Sequence, residues 1–146
     1  MQLDLSGRHA LVCGASQGIG RACAIELALL GADVTVLARR AEVLAELVDS
    51  LPRTRDTQRH DRLVADAGDI DSLRQRVEAL VAAAPVHILI NNSGGPPPGS
   101  ILDATPAQFL DAFGKHLLAN HTLAQVVIPG MRDAGWGRIV NIISTS

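Results

Sequence analysis

Two kinds of segment alternate along the chain. Residues 9–13 (HALVC) are a short apolar run between Gly7 and Gly14, which predicts a strand. Residues 18–30 (GIGRACAIELALL) are rich in Ala and Leu and predict a helix ended by Gly31. Residues 33–38 (DVTVLA) are β-branched and apolar, a second strand. Residues 41–51 have helical periodicity and stop at Pro52, and residues 53–60 (RTRDTQRH) read as a polar loop. A third strand is expected over 62–65. A helix is expected over 69–84, with Asp69 and Asp71 at the end where acids suit the helix dipole. Residues 87–91 (HILIN) predict a fourth strand, and 94–99 (GGPPPG) a loop, since prolines bar both helix and central strand. Residues 105–131 read as one long helix opened by Thr105 as cap and Pro106 in the first turn. Residues 138–143 (RIVNII) give a fifth strand. Strands alternating with helices imply an α/β fold with a doubly wound parallel sheet. The strands are mostly continuous apolar runs, as burial on both faces requires.

Composition narrows the class. A length of 146 residues suits one domain, and 47% hydrophobic with 19% charged residues suits a packed core. The formal net charge of −2 gives no basic footprint for nucleic acid or an anionic membrane. Cys13 and Cys23 lie without a C-x-x-C or a histidine at ligand spacing, so neither a metal site nor a disulfide framework is expected. Residues 1–7 carry Asp4 and lack a basic stretch followed by an apolar run, so no secretory leader is expected. No apolar run reaches membrane-spanning length. A cytoplasmic location is the expectation.

The first chemical signal is Gly14-Ala15-Ser16-Gln17-Gly18-Ile19-Gly20, between the first strand and the first helix. Gly14 allows a sharp turn, while Gly18 and Gly20 clear space where a pyrophosphate meets the free N–H groups of a helix N-terminus. Gly14, Ser16, Gln17, Gly18, Ile19 and Gly20 are therefore cofactor-binding candidates in a Rossmann-like domain. The spacing is G-x3-G-x-G rather than G-x-G-x-x-G. In this it resembles the short-chain dehydrogenase/reductase family, whose form is T-G-x3-G-x-G. Cys13 stands where that family usually has Thr.

The resemblance assigns further positions. An acid at the end of the second strand would bind the adenosine ribose hydroxyls and select NAD(H). That position is Ala38, followed by Arg39 and Arg40. Without an acid to repel a 2′-phosphate, and with guanidinium groups to pair with it, NADP(H) is expected over NAD(H). The plainer alternative is two solvated arginines at a helix start, one paired with Glu42. Asp66 takes the place where the family has an acid on the adenine amino group, and Ala67 packs near the ring. Asn91-Asn92-Ser93-Gly94 resembles the family's N-N-A-G; Asn91, Ser93 and Gly94 are assigned to the cofactor side.

At the far end, Gly137 to Ser144 (GRIVNIIS) resembles the family's fifth strand, whose serine, here Ser144, hydrogen-bonds the substrate oxygen. The family's helical Asn, which anchors a proton-relay water, aligns with His116. That histidine could conduct protons or simply pack within the helix. Asn120 lies one turn further on. The family's acid is a Tyr about a dozen residues after the Ser, with a Lys four further on. This chain contains no Tyr, and its sole lysine, Lys115, lies on another element. The fifth strand would be left as an apolar sheet edge. Residues 1–146 are therefore expected to be one dinucleotide-binding domain interrupted before the last strands and helices. The implied activity is interconversion of a carbonyl and a secondary alcohol with NADP(H), with 3-oxoacyl-thioester reductases the nearest general likeness. The alternative is a catalytically silent dinucleotide-binding sensor or scaffold. The resemblance also implies a homodimer or homotetramer.

Overall fold

The computed structural model describes residues 3–95 and 99–143. The first three strands are β1 (His9–Cys13), β2 (Asp33–Ala38) and β3 (His60–Val64), separated by helices α1 (Gly18–Leu29) and α2 (Ala41–Ser50). Helix α3 (Ile70–Ala83) leads to β4 (Ile88–Asn91). A single 3-10 turn (Ile101–Asp103), helix α4 (Pro106–Phe113), a π-turn (Gly114–Leu118) and helix α5 (Ala119–Asp133) lead to β5 (Arg138–Asn141). All strand pairs are parallel, in the order β3-β2-β1-β4-β5. The chain reverses its winding direction after β3, so the crevice between β1 and β4 is the topological switch point.

Alternation along β1 shows why both faces are covered. Ala10 and Val12 pack with Ala24 and Ala28 of α1, and with Leu44 and Leu47 of α2. Leu11 and Cys13 face the other way, onto Leu73 and Val77 of α3 and Leu123, Val127 and Met131 of α5. The small Ala24 and Ala28 allow α1 to lie close against the sheet. Burying one leucine such as Leu11 or Leu89, both fully buried, contributes about 1.5–3 kcal/mol. The guanidinium groups of Arg8 (4.4 Å) and Arg138 (4.7 Å) both lie over the Trp136 ring, which ties the entry of β5 to that of β1.

Several boundaries differ from the sequence reading. Strand β3 begins at His60, inside the segment read as polar loop, because His60, Asp61 and Arg62 pair in register with Val34, Thr35 and Val36. The pattern concealed this because β3 is an edge strand with a half-exposed face. Strand β4 begins one residue later than read, at Ile88, and β5 ends at Asn141. The largest correction concerns 105–131. Thr105 does cap a helix, in a capping box with Gln108. Yet the helix breaks into α4, the π-turn and α5. No residue of α4 is buried, whereas Ala119, Thr122, Leu123, Val127 and Met131 of α5 are. Both cysteines are free, Cys13 buried and Cys23 half-buried. No helix among the described residues is long and apolar enough to cross a membrane.

Candidate dinucleotide site

The loop after β1 is shaped by glycines, each for a different reason. Gly14 has φ +60°, and a Cβ there would collide with the Asn92 carbonyl oxygen. Gly20 is helical, but its Cβ would collide with the Gly14 carbonyl. Gly18 also has positive φ (+56°), and no atom lies within 4 Å of where its Cβ would be. Gly14 and Gly20 thus permit close backbone packing, while Gly18 leaves open space at the start of α1. Gln17 is the cap residue, extended, and its side chain makes no capping bond. The N-terminal N–H groups of α1 are therefore left without a side-chain cap, an arrangement suited to an anion. Ile19, in the first turn, is 58% exposed, so its apolar side chain is not serving the core.

The structure adds a residue that the sequence reading passed over. Asn92 donates from Nδ2 to the Gly14 carbonyl at 3.3 Å, and its backbone closes over Gly14 from β4. It links the loop after β1 to the end of β4 across the switch point. The signal was present in the doubled Asn of N-N-S-G, but only pairing of β1 with β4 shows which Asn faces the loop. Asn91 is buried and donates to Asn141 Oδ1 at 2.8 Å, bracing β4 against β5. Cys13, at the base of the loop, is desolvated by burial and its thiol is pushed up to about 12. It remains a neutral thiol at ordinary pH and serves as packing.

On the β2–β3 side, Arg40 donates to Gln17 Oε1 at 3.3 Å. Arg39 lies 4.0 Å from Asp66 Oδ2, with both side chains at least half exposed. Neither arginine pairs with Glu42 in these contacts. Asp66 also accepts the Gly68 N–H at 2.8 Å, which fixes the turn after β3 and carries Ala67 with it. Lys115 Nζ bonds Asp111 Oδ2 at 2.7 Å, and its Cε lies 3.2 Å from where a Cβ of Gly68 would be.

On the β4 side, Ser93 Oγ and His116 Nδ1 are 2.6 Å apart. The two candidates named separately from the sequence are thus brought together, one at the exit of β4 and the other in the π-turn. Gly94 follows Ser93 in exposed loop. Ser144 and the central prolines of the 94–99 loop lie outside the described residues.

With that geometry in place, comparisons with known proteins define the class. The sequence profile of the short chain dehydrogenase family matches residues 8–146, and the chain belongs to that family. It is 34% identical to L-xylulose reductase of Mesocricetus auratus over 145 residues, 99% of this chain and 56% of that protein. It is 32% identical to the 3-oxoacyl-[acyl-carrier-protein] reductase of Pseudomonas aeruginosa, over 96% of this chain and 56% of that protein. Among solved structures, a 3-oxoacyl (acyl-carrier-protein) reductase from Agrobacterium tumefaciens with NADP bound superposes with a TM-score of 0.88 at 28% identity, covering 99% of this chain and 55% of that one. The L-sorbose reductase of Gluconobacter frateurii, complexed with NADPH and L-sorbose, superposes at 0.87 with 29% identity over 97% of this chain and 54% of that one. The chain therefore spans little more than half the length of these relatives.

Proposed function

We propose that this chain is a dinucleotide-binding domain for NADP(H), serving an oxidoreductase that interconverts a carbonyl and a secondary alcohol. The observation that carries the reading is the placement of Arg40 against Gln17, beside the open start of α1, with Ala38 rather than an acid ending β2. A 2′-phosphate next to that pair would meet a guanidinium and no carboxylate of β2. Arg39 stands next to it, near Asp66, and can turn to the same phosphate. The cradle fits the group: Gly14 and Gly20 leave no room for side chains, Gly18 is open, and the start of α1 offers N–H groups to the pyrophosphate. Asp66 and Ala67 would flank the adenine, and Asn91, Ser93 and Gly94 would lie toward the other half. When bound, the cofactor supplies hydride transfer. NADP- and NADPH-bound structures among the similar proteins support the choice of cofactor.

Ser144 is assigned to the substrate oxygen, and His116 is a candidate proton-handling group. The family-type acid, a Tyr paired with a Lys, has no counterpart within these residues. A small-molecule carbonyl or alcohol is the proposed substrate and a homodimer or homotetramer the proposed assembly, in the cytoplasm. The test is NADPH oxidation with a panel of ketones, ketoses and 3-oxoacyl thioesters. Turnover of any one supports the oxidoreductase reading. Tight NADPH binding without turnover would favour a silent dinucleotide-binding protein instead.

A further inference from the structure

We infer that Ser93 and His116 act as one unit that shapes the β4–β5 half of the cofactor site, His116 being the positioning residue and the Ser93 hydroxyl the group it presents to the nicotinamide end. The inference rests on the NADP(H) reading above and deepens it. Three observations carry it. First, Oγ of Ser93 and Nδ1 of His116 are 2.6 Å apart, at the short end of the hydrogen-bond range. The bond joins residues 23 apart in sequence and ties the exit of a strand to a helix. Second, His116 lies in the π-turn, the one described stretch where the helical ladder widens. Such turns are rare and, where they occur, frequently lie at functional sites. Third, Ser93 follows directly on Asn92, which touches the phosphate loop at Gly14. A dinucleotide with its pyrophosphate at the start of α1 and its adenosine over β2 and β3 must lay its second half toward β4. Ser93 puts a half-buried hydroxyl just past the end of β4, on that side.

The chemistry follows from the ring. In the tautomer whose Nδ1 accepts from Ser93, the serine oxygen keeps lone pairs that can accept from a ribose hydroxyl or a carboxamide N–H. A hydroxyl left to rotate would lose orientation each time the cofactor binds. His116 removes that freedom in advance.

The test compares two probes on the full chain. NADPH carries the nicotinamide half, and 2′,5′-ADP lacks it. Ser93→Ala and His116→Leu should each weaken NADPH by about tenfold, the scale of one hydrogen bond. The double variant should be no weaker than either single one. Ser93→Thr, which keeps the hydroxyl, should retain most of the affinity, and 2′,5′-ADP should bind all variants alike. Should His116→Leu melt early, His116→Asn, polar and smaller, takes its place in the cycle and should fall between wild type and Ser93→Ala. NADPH affinity unchanged in the single variants, losses that simply add, or a parallel fall for 2′,5′-ADP would each overturn the pairing while leaving the NADP(H) reading standing. A wild-type chain that binds neither probe would overturn that reading, and the pairing with it.

Discussion

On its β1–β2–β3 side the candidate site joins a backbone cradle of glycines and a helix start to the exposed side chains of Gln17, Arg39 and Arg40. On its β4–β5 side it is held by two long-range side-chain bonds, Ser93 to His116 and Asn91 to Asn141. The first side rests on a buried frame, for Ala10, Val12, Val34 and Val36 have no exposed surface. The second joins the exit of a strand to a π-turn through two half-buried residues, Ser93 and His116. A site of two such halves should bind the pyrophosphate of a dinucleotide on a rigid, preformed backbone cradle, with the arginine side chains adding the contact to a 2′-phosphate. Its other end should depend on a few side chains whose loss is local.

That contrast can be broken most forcefully at Gly14. Gly14→Ala would force a Cβ onto the Asn92 carbonyl at a positive φ. Backbone strain of this kind costs on the order of 1–3 kcal/mol. We expect a lower melting temperature and loss of both NADPH and 2′,5′-ADP binding; normal binding of either would show that the glycine cradle is not the site. Next in size is Arg40→Ala, which should weaken NADPH by roughly 10- to 100-fold, the range for charge-assisted bonds, and leave NADH affinity unaltered in a fluorescence titration. Arg39→Ala should act in the same direction but less, since Arg39 is held only loosely by Asp66 at 4.0 Å. Equal losses for NADPH and NADH would remove the 2′-phosphate assignment.

A smaller effect is expected from Asn92→Ala. Losing the 3.3 Å bond to the Gly14 carbonyl should lower stability by about 1 kcal/mol, and denaturant unfolding would measure it. The opposite end of the sheet supplies an acid-dependent contrast. His9, His60 and His87 lie at the entries of β1, β3 and β4, and their rings meet backbone. His87 Nδ1 accepts the His9 N–H and His60 Nδ1 accepts the Val34 N–H. Burial holds all three below the usual histidine value of 6.5; Arg53 adds to this at His60 and Arg8 at His87. The unfolded chain therefore takes up protons before the folded one does. Stability should be full above about pH 6.5 and decline as the pH falls below it toward the folded values. A melting temperature flat from pH 7 down through that window would contradict the neutral-ring assignment.

The sequence made the β1–β2–β3 half legible because its signals are local. Gly14, Gly18 and Gly20 sit in one turn, and Ala38, Arg39 and Asp66 sit at strand ends that the hydrophobic pattern already marks. The other half depends on pairings that no local pattern encodes. Within the first half, the start of β3 was the exception: His60 was hidden in a polar stretch because an edge strand needs no continuous apolar run. The π-turn was hidden because residues 105–131 suit a helix throughout; only the backbone bonding of Gly114–Leu118 reveals it. Asn92 stood out only once β1 and β4 were neighbours. The Ser93–His116 bond joined two residues that sequence reasoning had named for unrelated reasons.

The central claim is that the end of β2 selects a phosphorylated cofactor, and the most direct measurement is the ratio of dissociation constants for NADH and NADPH by calorimetry on the unmodified chain. NADPH binding at least tenfold tighter, as charge-assisted contacts to a 2′-phosphate imply, is the predicted result. Equal affinities, or tighter NADH, would contradict it.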